Sequence, residues 1–138
     1  MINWNRMNLN TNRLRCFLRR LILASRIKKK YISCQRFRQC DWFLYYLFEM
    51  GLIKNYKIND RAKFTVEIAY DKHGNSVIHG IKWLVRNKII SHQKFRKILI
   101  KLKNKMPIYA FVDTRWGYIP LSVCVKERIS GYIILWIY

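Results

Sequence analysis

Asp113, Thr114, Arg115, Trp116 and Gly117 bring into one short segment a carboxylate, a hydroxyl, a guanidinium, an indole and a residue with no side chain. Those types suit the recognition of RNA. Asp113 and Thr114 can hydrogen-bond 2′-hydroxyls or base edges, Arg115 can pair with a phosphate, Trp116 can stack on a base, and Gly117 lets the backbone come close. The same string also suits an ordinary surface turn. Positioning it falls to the apolar runs on either side, Tyr109 to Val112 and Tyr118 to Ile119, which read as two strands meeting at a hairpin-like tip.

The charge of the whole chain sets the context for that tip. Lys and Arg number 28 against 7 Asp and Glu, a formal charge of +21 spread along 138 residues. Self-repulsion on this scale opposes folding unless a polyanion neutralises it, so nucleic acid or an anionic membrane is the natural partner. With 51% hydrophobic and 15% aromatic residues the chain is no disordered basic tail, and its length suits one ordinary domain or two small lobes.

Other chemistry finds little support. Ser122, His92 and Asp113 are the makings of a nucleophilic set, and Asp41 with Glu49 of a carboxylate pair, but neither sits in a nucleophile elbow or a metal motif. Cys16, Cys34, Cys40 and Cys124 show no CxxC spacing, and His73, His79 and His92 are not spaced as zinc ligands, so buried free thiols in a reducing compartment are expected and no metal or other cofactor. The apolar stretches Trp42 to Phe48 and Tyr132 to Tyr138 fall far short of the roughly 20 residues a helix needs to cross a bilayer.

The elements that would carry these residues follow from periodicity. A cap at Asn10, Thr11 or Asn12 begins a helix running to about Arg26, with Leu14, Phe17, Leu18 and Leu21 inward and Arg13, Arg19 and Arg20 outward. The first thirty residues also resemble a mitochondrial presequence, being basic and free of acids. Lys28, Lys29 and Lys30 lead into a strand through Cys34, a run that reads as phosphate contacts or as solvated charge. A helix over Arg36 to Met50 closed by Gly51, a strand over Leu52 to Ile58, a turn at Asn59 to Arg61 and a strand over Ala62 to Tyr70 complete an α-β-α-β-β lobe. After a turn at Asp71 to Asn75 come a strand over Val77 to Arg86, a short helix over Phe95 to Lys103 stopped before Pro107, and the tip. A final strand over Tyr132 to Tyr138, apolar on both faces, implies burial between layers. The fold class is α+β, with a lobe over residues 1–72 and a mainly β lobe with one short helix over residues 73–138.

In this order the chain resembles the bacterial-type small-subunit ribosomal protein eight family from about Phe17 onward. The stretches that carry the resemblance are Glu49-Met50-Gly51-Leu52-Ile53-Lys54-Asn55-Tyr56, similar to an EEGYIKGY-like helix exit, and Val77-Ile78-His79-Gly80-Ile81-Lys82, similar to a VISGIKR-like strand. The third runs from Lys126 through Ser130 and Gly131 to Ile137, similar to a KxxxGGEVLAYV-like close. The family's Ser-Thr-Ser-x-Gly turn falls on Asp113-Thr114-Arg115-Trp116-Gly117, where Thr114 and Gly117 match and Asp113 and Arg115 replace the serines. Tyr132 stands where the family has a closing glutamate.

The resemblance implies a divergent, mitochondrial ribosomal protein that binds the central domain of the small-subunit rRNA beside neighbouring ribosomal proteins, with no small-molecule substrate and no membrane. It favours reading the basic N-terminal helix as part of the mature fold. Its expected RNA contacts are Lys28, Lys29, Lys30, Arg38, Lys54, His92, the turn from Asp113 to Gly117, Ser130 and Gly131, with His92 near an exposed tyrosine of the family. A reading of another class is a basic, aromatic-rich protein of a membrane surface. Against it, the strand-period alternation in mid-chain builds a globular core.

Overall fold

The computed structural model describes residues 4–59, 62–84, 92–103 and 109–138, with side chains in the first helix from residue 12 onward. The chain is α+β with two antiparallel sheets. It forms two compact units, Met1–Val77 and Ile78–Tyr138. Residues beyond position 72 join the first unit because the turn after Tyr70 folds back, through a Tyr70–Ser76 bridge and hydrogen bonds from the Gly74 and Asp71 amides to the Asp71 and Asn75 carbonyls.

In the first unit α1 spans Trp4–Arg26, β1 Tyr31–Gln35, α2 Cys40–Glu49, β2 Ile53–Ile58 and β3 Lys63–Ile68. The strands order β1-β3-β2. Leu14, Phe17, Leu18 and Leu21 are buried, as their spacing requires, while Arg13, Arg19 and Arg20 are exposed. The helix begins earlier than expected, so Asn10, Thr11 and Asn12 lie inside it rather than capping it. No Gly or Pro interrupts the preceding turns, and such polar residues cost a helix interior only a few tenths of a kcal/mol.

The start of α2 moves the other way, from Arg36 to Cys40. Gln39 adopts a left-handed conformation (φ +59°), Phe37 turns into the core, and Arg36 bridges the break with an ion pair to Asp41 at 3.1 Å. Phe17, Phe37, Phe43 and Phe64 then meet at centroid distances of 5.2 to 6.3 Å, tying both helices to β3. Each such ring, once buried, contributes about 1.5–3 kcal/mol.

Both helix exits of this unit share one device. After α2, the Leu52 amide bonds to the Leu47 carbonyl across Gly51 at φ +74°, as its glycine predicts. After α1 the Lys29 amide bonds to the Ala24 carbonyl across Lys28 at φ +61°, where no glycine signals it. A bulge between Ile53 and Asn55 then kinks β2 against β3.

The second unit holds β4 Ile81–Trp83, α3 His92–Lys103, β5 Tyr109–Thr114, β6 Gly117–Pro120, α4 Leu121–Lys126 and β7 Tyr132–Ile137, with strands ordered β4-β7-β5-β6. The strand expected from Val77 to Arg86 is reduced to Ile81–Trp83. The His79 and Gly80 amides both donate to the Tyr138 carbonyl, and Gly80 lies under the Tyr138 ring, which breaks a regular ladder there. Positions 85 and 86, Asp60, Arg61 and Pro107 lie outside the described residues.

A second short helix, α4, follows Pro120 and packs on α3. In β7, Ile134, Leu135 and Ile137 are buried and Tyr132, Ile133 and Trp136 half-buried, so the strand is less enclosed than its all-apolar sequence implied. Among the described residues no helix is long and apolar enough to cross a membrane.

Candidate nucleic-acid interface

β5 and β6 pair from Phe111↔Pro120 to Thr114↔Gly117, leaving Arg115 and Trp116 as the hairpin's two-residue loop. The Thr114 hydroxyl organises this tip. It accepts from the Trp116 amide at 3.1 Å and donates to the Gly117 carbonyl at 2.9 Å, and Thr114 is buried. Gly117 takes φ +122°, a conformation that a side chain would strain. Thr114 and Gly117, both expected to contact RNA, thus spend their special properties on the turn itself.

What the tip presents outward is Arg115 and Trp116. Trp116 is 53% exposed, and the Arg115 guanidinium lies 5.4 Å from its ring centroid, a cation–π contact that pre-arranges charge beside a flat apolar surface. Asp113 is half-buried and is the cross-strand partner of Tyr118 on β6 and Tyr132 on β7, so the three side chains share one face of the sheet. Gly131 is buried as well. A β-carbon there would lie 2.5 Å from the Asp113 carbonyl oxygen and 2.8 Å from Val112 Cγ1, so this glycine lets β7 enter close to β5, and only its neighbour Ser130 is exposed.

The lysines expected to touch phosphate belong to the first unit and differ in how they are held. The Lys28 ammonium donates to the Gly74 carbonyl and sits 5.6 Å from the Tyr70 ring centroid, so in the free chain it fastens the turn at Asp71 to Asn75. Lys29 is exposed, and its carbonyl accepts from the Tyr70 hydroxyl. Lys30 lies 5.3 Å from the ring centroid of Tyr31. Arg38 is exposed before α2, and Lys54 stands 3.9 Å from Glu67 across β2 and β3, a long and weak pair.

Lys30 and Lys54 are brought to one surface. Tyr31, Glu67 and Asn55 are cross-strand partners in a single row, on the sheet face that the core-facing Ile32, Val66 and Tyr56 leave open. Ser33, Thr65 and Lys57 form the next row and Gln35 with Lys63 the last. Strands lie about 4.8 Å apart, so the row from Tyr31 to Asn55 covers roughly 10 Å. Tyr31, 53% exposed, and Lys57 and Lys63 are the residues of this face that motif reading missed. For Tyr31 and Lys63 the signal was the plain alternation of β1 and β3, and Lys57 of β2 follows from its pairing with Thr65.

His92 opens α3, and its side chain lies outside the described residues. Ser122 is exposed on α4. Among the described residues no three His, Cys, Asp or Glu side chains group as metal ligands. The cysteines are free thiols. Cys34, Cys40 and Cys124 are buried, and burial raises the pKa of each, that of Cys124 to about 12, whereas Cys16 is exposed on α1, contrary to expectation.

No protein-family model matches the sequence, and no curated protein matches it.

Proposed function

We propose that this chain is a structural RNA-binding protein of a small ribosomal subunit, in mitochondria, and that its work is binding rather than catalysis. The observation that carries the reading is the Arg115–Trp116 pair, held outward by a turn whose own polar groups are satisfied internally. An exposed ring beside a cation can stack on an unpaired base while the guanidinium meets the adjacent phosphate. By the sequence resemblance the turn falls where the family carries its RNA-docking turn, with Thr114 and Gly117 kept and Asp113 and Arg115 in place of its serines.

The net charge of +21 supports a polyanionic partner, and the open sheet face with Lys30, Lys54, Lys57 and Lys63 offers it a second contact. Small-subunit rRNA, with neighbouring ribosomal proteins around it, is the partner we infer, and no cofactor enters the mechanism. The test is binding of the full chain to a central-domain fragment of small-subunit rRNA over a series of salt concentrations. Affinity should fall steeply with salt, and Trp116→Ala should weaken it by about 1–3 kcal/mol, the worth of one stacked base. Equal affinity of Trp116→Ala and the parent chain, or an affinity indifferent to salt, overturns the reading.

A further inference from the structure

One surface of this protein does not fit a nucleic acid. The inner face of α2 is core, with Cys40, Phe43, Leu44 and Leu47 buried, yet its outer face is also aromatic: Trp42 is 54%, Tyr45 41% and Phe48 42% exposed. These rings are organised rather than scattered. Trp42 stacks on Tyr46 with 6.2 Å between centroids and meets Tyr45 edge-on at 6.2 Å, and Phe48 meets Tyr56 of β2 at 6.1 Å. Exposed aromatic rings grouped along one helix of a folded protein mark a place where another surface docks.

The charge around the patch selects the occupant. From Gln39 to Ile53 runs the longest stretch of the chain without Lys or Arg, and it contains Asp41 and Glu49, two of the seven acids. Asp41 is paired with Arg36 at one end of the helix, and Glu49 is exposed at the other. Aromatic platforms for single-stranded nucleic acid are interleaved with cations that track the phosphates, and α2 itself carries none, with Glu49 left exposed at its end. An isologous contact through α2 with a second copy would bring no cation of that helix to meet Glu49.

We propose that the outer face of α2 docks a cationic, apolar segment of a protein partner. Aliphatic side chains of that segment cover Trp42, Tyr45 and Phe48, an arginine stacks on the indole, and a second basic residue pairs with Glu49. The protein then carries two surfaces of different character, one basic and one aromatic with Glu49 at its edge. This inference stands independently of the RNA-binding reading.

The experiment is a titration of the isotopically labelled full chain, followed by NMR, with the Trp42 indole N–H identified by Trp42→Phe. Three probes are taken to millimolar concentration: a short peptide of leucine and arginine, its leucine and glutamate counterpart, and oligouridylate. The arginine peptide should shift the Trp42 indole and the Tyr45 and Phe48 amides, with the other two leaving that indole in place. Trp42→Ala with Tyr45→Ala, and separately Glu49→Lys, should weaken the arginine peptide about tenfold while the amide spectrum of the core is retained, since all three side chains are exposed. The proposal is overturned if the arginine peptide leaves α2 unmoved, if oligouridylate or the glutamate peptide moves the indole, or if the indole shifts with protein concentration alone.

Discussion

Gly131→Ala tests whether the glycine before β7 is there for packing. The added carbon would lie 2.5 Å from the Asp113 carbonyl oxygen, where ordinary contact begins at 3.4 Å, and 2.8 Å from Val112 Cγ1. The first obstacle is backbone, already paired on both sides in the ladder of β5 with β6 and β7, so it cannot rotate away as a side-chain tip would. β7 must withdraw by about 0.9 Å, an overpacking that costs about 1–3 kcal/mol. Because the strain falls on Val112 and Asp113, immediately before Thr114, the Arg115–Trp116 tip loses its support as well. Native-state hydrogen exchange of the β5 and β7 amides reads the effect within the second unit alone. Ser130→Ala, one position earlier and exposed, should stay within about 0.5 kcal/mol of the parent. If Gly131→Ala also stayed within that margin, the close approach of β7 to β5 would not be what holds this sheet together.

Thr114→Val removes both hydrogen bonds of the turn and should destabilise it by about 1–3 kcal/mol, seen as faster exchange of the Trp116 amide; unchanged exchange would show the hydroxyl to be dispensable. Lys28→Gly should be more stable than Lys28→Ala by about 1 kcal/mol in thermal denaturation, since both lose the bond to Gly74 but only glycine relieves the left-handed backbone. At pH 8 a thiol reagent should modify Cys16 in the native chain and reach Cys34, Cys40 and Cys124 only on unfolding. Burial raises Cys124 from 9.0 to about 12, so its contribution to stability is full below pH 9 and lost as pH rises to about 12. Replacing it by alanine should flatten the alkaline arm of the stability profile.

Where side chains alternate or recur at helical spacing, the sequence was read correctly. Leu14 to Leu21 and the strand Phe64, Val66, Ile68 bury the residues that periodicity selected, and Gly51 ends α2 as a glycine should. Two of the misreadings lie in local backbone. Gln39 and Arg128 take positive φ without being glycine, so the start of α2 and the exit of α4 carry no compositional mark, whereas the end of α1 at Arg26 falls where it was expected. α4 is a helix of six residues behind a proline, too short for its period to show. At the tip, residue types announced a polar turn but not the division of labour within it. That Thr114 faces inward and Trp116 outward is set by hydrogen-bond geometry, and no spacing rule encodes it.

The ends of the two sheets bear on how the chain avoids aggregation. An uncovered outer strand offers unpaired amides and carbonyls to any other chain. β6 ends in Pro120, which has no amide to offer, and β4 is only three residues long. β2 is bent by its bulge and carries Lys54 and Lys57, which repel a second copy bearing the same charges. β1 alone is regular along its whole length with no charge of its own, so the lysines that lead into it act as its gatekeepers. Neutralising Lys28, Lys29 and Lys30 would therefore open the chain to aggregation through β1.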